Sequence, residues 1–162
     1  MAVVSNEERN LNYDNFVGRL DIELQRAKRY GRVVSVCIIS IDGAHEDKGK
    51  YPKSFLRDFT QMILDQARTV DISTTISSEE FALILPETAF ANALQAVERI
   101  RATIAEHAFV DEDKERRITV SIGLAAYPEH SSDTAELARR ALQAADMAKQ
   151  KGGNKVCTAS DL

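Results

Sequence analysis

Cysteine is scarce in this chain: two among 162 residues, Cys37 and Cys157. They lack the paired spacing of a metal site and are too few for a disulfide framework. Both lie in apolar runs and read as reduced, packed residues of a cytosolic protein, with a disulfide between them left open. Long hydrophobic runs are also missing. No stretch approaches the roughly 18 consecutive apolar residues that a membrane span needs, and the start, Met1-Ala2-Val3-Val4-Ser5-Asn6-Glu7-Glu8-Arg9, lacks the layout of a signal peptide. A soluble, cytoplasmic chain without membrane insertion is expected. There is no surplus of positive charge either: 21 Lys and Arg against 25 Asp and Glu give a net charge of −4 and a pI near 5.4. That excludes a nonspecific nucleic-acid binder. It does not exclude a small anionic ligand, which senses only its local pocket.

The composition that remains, 44% apolar and 28% charged, is that of an ordinary globular protein, and the length suits one domain. Phe16, Leu20, Leu24 and Ala27 are spaced for a helix over 13–30, stopped by Gly31. Residues 33–41 are β-branched and nearly continuous, as in a strand covered on both faces. Residues 43–53 are polar and read as a loop. A second helix is predicted over 54–69, with Phe55, Phe59, Met62, Ile63 and Gln66 on one face. Two strands, 71–76 and 80–85, flank Ser77-Ser78-Glu79 as a hairpin. A third helix follows Pro86-Glu87-Thr88, carrying Phe90, Leu94, Val97, Arg101 and Ile104. A strand spans 117–127. Ser131-Ser132-Asp133 caps a last helix that runs to about Lys151 and stops at Gly152-Gly153. An edge strand over 154–158 ends the chain. This order predicts one α+β domain over 12–160, behind an N-terminal tail over 1–11, with a mixed sheet covered by helices.

Four stretches resemble the GGDEF family of diguanylate cyclases. Ser77-Ser78-Glu79-Glu80-Phe81-Ala82-Leu83-Ile84-Leu85-Pro86 is similar to its signature hairpin, and Ala96-Val97-Glu98-Arg99-Ile100-Arg101 to the helix after it. Thr119-Val120-Ser121-Ile122-Gly123-Leu124-Ala125 and Ala148-Lys149-Gln150-Lys151-Gly152-Gly153-Asn154 match its later strand and C-terminal turn. The resemblance covers about residues 12–157. It implies a ferredoxin-like, nucleotide-cyclase-like sheet of the GGDEF type and a role in bacterial second-messenger signalling. In that family two GTP-loaded domains meet to make cyclic di-GMP, with two metal ions at the end of the first strand.

The positions that carry this chemistry are largely replaced. Ser40 stands where the family has its metal-binding Asp, and a neutral hydroxyl substitutes poorly for a hard anionic oxygen. Ser77 and Ser78 replace two glycines that let the hairpin backbone approach the nucleotide. The following loop is about four residues shorter than the family's, and Pro52-Lys53 replaces a Gly-Asp, so that Lys53 reverses the charge of a guanine-reading residue. Asp42, matching the second Asp of the family's pair, remains, as do Glu79, Glu80 and Lys149. Taken alone, Glu79 and Glu80 read as solvated hairpin charge and Lys149 as a solvent-facing helix residue. The expectation is an inactive cyclase homologue that needs no cofactor, with Mg²⁺ required only by residual cyclase activity.

A second constellation is intact. Arg68-Thr69-Val70-Asp71 has the R-x-x-D spacing, and it ends six residues before Ser77. At that offset the resemblance implies an inhibitory site for the product cyclic di-GMP, with Arg99 as its second arginine and Arg26 as a third that some members use. Chemically, guanine O6 and N7 suit an arginine fork, and its N1–H and N2–H₂ donors suit a carboxylate. The plain alternative is an Arg68–Asp71 pair that stabilises the helix end, with Arg99 solvated. Arg26, Lys28, Arg29 and Arg32 also form a basic run that reads first as a solvated helix end. The leading expectation is a cyclic di-GMP receptor using Arg68, Asp71, Arg99 and Arg26, signalling through a protein partner or through ligand-mediated dimerisation. A residual cyclase working through Glu79 and Glu80 and a ligand-free interaction scaffold are the alternatives.

Overall fold

Ser5 and Glu8 start the first helix by capping each other. The Ser5 hydroxyl accepts the Glu8 N–H and the Glu8 carboxylate accepts the Ser5 N–H, both at 3.1 Å, so two otherwise orphaned donors are satisfied. The computed structural model describes residues 5–43, 51, 53–111 and 113–162. In it α1 runs Asn6–Tyr30 and ends on Gly31 in the left-handed conformation. Residues 6–11 are therefore helix, where the sequence suggested a tail; the Ser-x-x-Glu box extends the helix upstream of its apolar stripe.

Next come β1 (Val34–Ile41), α2 (Lys53–Gln66), β2 (Ile72–Thr75), β3 (Glu80–Pro86) and α3 (Phe90–Glu106). The loop expected over 43–53 falls mostly outside the described residues. Helix α2 stops three residues earlier than its spacing predicted. Asp71 explains this: its carboxylate accepts the Arg68 N–H at 2.8 Å while its own N–H reaches the Arg68 carbonyl at 3.0 Å, closing a turn in place of another helical turn. A small hairpin that the sequence reading missed, β4 (Phe109–Asp111) with β5 (Lys114–Arg116), precedes β6 (Val120–Tyr127). Then α4 (Thr134–Gln150), capped by Asp133, leads to β7 (Lys155–Thr158) and a 3₁₀ turn, Ala159–Asp161.

The main sheet has the order β2-β3-β1-β6-β7. β1 pairs antiparallel with β3 and β6, and β7 pairs parallel with β6 at the edge. Helices α1 and α4 cover one face through Phe16, Leu20, Leu24 and Leu137. Helices α2 and α3 cover the other through Phe55, Phe59, Val97 and Ile104. Cys37 and Cys157 are free and buried, and burial pushes the Cys37 thiol up to about 12. Among the described residues no helix is long and apolar enough to cross a membrane.

Helix α4 lies unusually close to β6. It presents Ala138, Ala141, Ala144, Ala145 and Ala148 to the sheet, all buried, and Gly123 faces its backbone. A Cβ added at Gly123 would sit 2.0 Å from the Ala141 carbonyl oxygen and 2.2 Å from the Ala145 nitrogen. Neither backbone atom can yield without lifting the helix. Gly123→Ala is expected to cost about 3 kcal/mol or more of stability through overpacking, measured as a lowered urea midpoint at unchanged slope.

Candidate functional site

Two sites flank the central strand, one at each end. At the C-terminal end of β1, Ser40 is fully buried between Glu80 of β3 and Ser121 of β6, and its hydroxyl has no hydrogen-bond partner among the described residues. Two residues on, Asp42 is held by three internal donors. Its carboxylate accepts the hydroxyls of Thr119 and Ser121, each at 2.6 Å, and the Asn154 N–H at 2.8 Å. Gly153 makes room for this, since a Cβ there would come within 2.8 Å of the Asp42 carboxylate. Asp42 thus joins the end of β1 to β6 and to the turn after α4.

Glu80 corrects the sequence reading. It is not solvated: its side chain is only 12% exposed, and Arg9 of α1 grips both carboxylate oxygens, Nε to Oε1 at 2.7 Å and Nη2 to Oε2 at 2.8 Å. The Ser77 hydroxyl adds a third donor at 3.1 Å. Burial alone would raise the Glu80 carboxyl, but the bonds and charge of Arg9, helped by Ser77 and Lys149, hold it below its ordinary value. Lys149 is half-buried and near enough to act on Glu80, so it does not simply face solvent as expected. Glu79 is half-buried; its carbonyl accepts the Ile41 N–H at 2.9 Å and its carboxylate lies 3.5 Å from the Ser78 hydroxyl. Lys53 opens α2, and its side chain, like Pro52, lies outside the described residues. Among the described residues no three His, Cys, Asp or Glu side chains group as metal ligands.

At the opposite end of the sheet, where β1 begins and β3 ends, a pocket of about 340 Å³ opens. Ala27, Val33, Val34, Val70 and Pro86 form its apolar wall, and Arg26, Arg32 and Arg68 line it together with Glu23 and Glu87. Arg68 is 54% exposed. Its Nη2 donates to the Pro86 carbonyl at 2.9 Å and to the Thr88 hydroxyl, which fixes the plane of the guanidinium. Arg26 is held by Glu23 at 3.2 Å, and Arg32 by Glu87.

The predicted ligand set is therefore divided. Arg26 and Arg68 share the pocket. Asp71 does not line it: its side chain is 4% exposed, with one oxygen on the Arg68 N–H and the other 3.4 Å from Arg68 Nη2. Arg99 stands exposed on α3, which packs on the sheet face opposite α1, and is also absent from the lining. Arg32 takes the third place instead. Sequence reasoning missed Arg9, Glu87 and the role of Arg32. Arg9 was legible, because it continues the inward stripe of half-buried Tyr13 and buried Phe16, Leu20 and Leu24 one turn upstream, at i−4 from Tyr13. Nothing in the sequence pairs Arg32 with Glu87, which lies 55 residues away.

Comparison with known proteins gives a consistent picture. The family model described as diguanylate cyclase, GGDEF domain, matches residues 11–155. The response regulator PleD of Caulobacter vibrioides is 32% identical over 145 residues, which are 86% of this chain and 32% of that protein. The chain spans about a third of the length of such curated relatives. Among solved structures, the GGDEF domain of YfiN (or TpbB) from Pseudomonas aeruginosa is 25% identical with a TM-score of 0.81, covering 90% of this chain and 93% of that one. The GGDEF domain of DgcB from Caulobacter crescentus, in complex with c-di-GMP, is 24% identical with a TM-score of 0.79, covering 90% and 88%. The fold is of the GGDEF type.

Removing Arg9 leaves a buried carboxylate without its counter-ion. Such losses cost about 3–5 kcal/mol when both partners are deeply buried; with Arg9 partly exposed, Arg9→Ala should cost about 2 kcal/mol at neutral pH. Because Glu80 is held below its ordinary 4.5, the pair's contribution is present above that range and is lost as pH falls through the native value. Urea unfolding of both proteins across pH 3–7 should show the difference shrinking in acid, roughly as the Glu80 carboxyl protonates.

Proposed function

The chain belongs to the GGDEF diguanylate cyclase family, and within it we propose that this domain is a non-catalytic receptor for cyclic di-GMP, bound in the pocket at Arg68. The pocket itself carries the reading: three arginines from separate segments face one apolar-walled recess at the end of the sheet remote from Ser40 and Glu80. Arginine planes stack on purine rings, and their forks suit both guanine O6/N7 and phosphate oxygens. A pocket of about 340 Å³ falls in the size range of small-molecule sites and suits one nucleotide half of the ligand. Arg68 and Arg26 meet the ligand directly, and Asp71 orients Arg68. Arg99, outside the pocket, would reach ligand only from a neighbouring domain when a stacked ligand pair bridges two copies. Occupancy is passed on through such pairing or through a protein partner.

The other end of β1 supports the non-catalytic half of the reading. A divalent cation there would need anionic oxygens with free lone pairs. Ser40 offers a neutral hydroxyl, Asp42 already accepts three donors, and Arg9 occupies both oxygens of Glu80. These residues do not fit a metal–triphosphate complex. No catalytic step is assigned to them.

Isothermal titration of the full chain with cyclic di-GMP, combined with a size measurement, tests the proposal. Binding should appear, and Arg68→Ala and Arg26→Ala should each weaken it by about tenfold or more, the worth of a charge-assisted hydrogen bond, with far-UV circular dichroism unchanged. Incubation with GTP and Mg²⁺ should yield no cyclic di-GMP by mass spectrometry. Absence of binding at high micromolar ligand, or formation of cyclic product, overturns the reading.

A further inference from the structure

The outward face of α1 carries a second pattern, distinct from the inward stripe that packs on the sheet. Leu11, Asn15, Gly18, Ile22, Gln25 and Arg29 recur at alternating steps of four and three along the helix, and all are exposed. That is the a/d repeat of a coiled coil, with a mean period of 3.5 residues. Leu11 and Ile22 are 60% and 54% exposed and belong to neither apolar cluster that packs the sheet. A Cβ added at Gly18 would meet no atom within 4 Å. Nothing within the domain therefore calls for glycine in mid-helix, where it weakens the helix. We propose that this face pairs with the same face of a second copy of the chain as a short parallel coiled coil.

With Leu11 and Gly18 at d and Asn15 and Ile22 at a, the residue types are those of a two-stranded parallel pair: leucine at d, a β-branched residue at a, and an asparagine at a that fixes register. Arg29, at the a position after Ile22, sets two like charges together and closes the seam. Orientation follows from the flanks. Asp14 and Asp21 take the g positions and Arg19 and Arg26 the e positions, all exposed. In a parallel pair each g residue meets the e residue of the following heptad in the other helix. Asp14 then meets the partner's Arg19 and Asp21 the partner's Arg26, and both contacts repeat across the two-fold axis. An antiparallel pair would set aspartate against aspartate and arginine against arginine, which repels. The flanking groups are available. Asp14 and Arg19 make no hydrogen bond or ion pair among the described residues. Asp21 receives both Gln25 and Thr134 on Oδ1, and Arg26 meets Glu23 through Nη1. This self-complementary charge pattern is what commits the face to a second copy.

Sedimentation equilibrium of the full chain without ligand tests the pairing independently of the receptor reading. With two large apolar side chains per copy in the seam, the wild type should show a monomer–dimer equilibrium with a Kd of about 0.1 mM. Gly18→Leu fills an open d position and should tighten it by about tenfold or more. Ile22→Asp should remain monomeric with far-UV circular dichroism unchanged, since the side chain it replaces is exposed. Orientation is read by oxidising Leu11→Cys. A disulfide needs Cα atoms within about 7 Å; a parallel seam brings the two positions together, whereas an antiparallel one that packs Leu11 on Ile22 holds them about 16 Å apart. The native Cys37 and Cys157 are buried and do not compete. A covalent Leu11→Cys dimer that Ile22→Asp abolishes supports the parallel seam. A wild type still monomeric about tenfold above the expected Kd, a dimer indifferent to Ile22→Asp, or a dimer in which Leu11→Cys does not cross-link overturns it.

Discussion

All eight residues of β1 are buried, and that constraint governs where this domain can do chemistry. A strand covered on both faces and paired on both edges offers no side chain to a ligand along its length. Polar groups can meet solvent or solutes only where the strand starts and stops. The two sites follow directly: Ser40, Asp42 and Glu80 cluster at one end, and the arginine pocket opens at the other. The strand keeps them its full length apart.

The two ends are finished in opposite ways. At the Ser40 end every carboxylate meets an internal donor, so Asp42 and Glu80 act as bolts between elements. Glu80 joins the hairpin to α1, and Asp42 joins β1 to β6 and the α4–β7 turn. At the Val34 end the recess remains, and its ion pairs are at least half-exposed on the arginine side. Exposed pairs of that kind contribute little to stability and can exchange an internal partner for an external one at small cost. Helix α1 serves both ends. Arg9 sits near its start and Arg26 near its finish, about 25 Å apart along one rigid rod.

Much of this arrangement is visible in the amino-acid order. The apolar spacing of α1, the continuous run of β1, the Ser77–Glu79 hairpin and the Asp133 cap all emerge as read, because each depends on residues within one or two turns of each other. The failures have more than one cause. The true start of α1 is written in the Ser5–Glu8 box, a local signal hidden by the lack of apolar residues between Ser5 and Leu11. The early end of α2 depends on a turn that Asp71 closes from the following segment. The β4–β5 hairpin is three residues a side and polar at Lys114 and Glu115, too short for an alternating pattern to register. Glu80 read as surface charge because its partner, Arg9, is 71 residues away.

The amino-acid sequence by itself determines the element order, the covered central strand, the neutral Ser40 near that strand's end and the presence of Arg68 beside Asp71. These are properties of residue type and short spacing. Tertiary structure alone decides which charges meet and which stay apart: Arg9 meets Glu80, Arg32 meets Glu87, Asp71 meets the Arg68 backbone, and Arg99 lies outside the recess. The physical reason is that a charged side chain has no periodic signature. Its partner is set by which elements the sheet brings to the same end, and that follows from the pairing of β1 with β3 and β6 and the crossing of α1 over them.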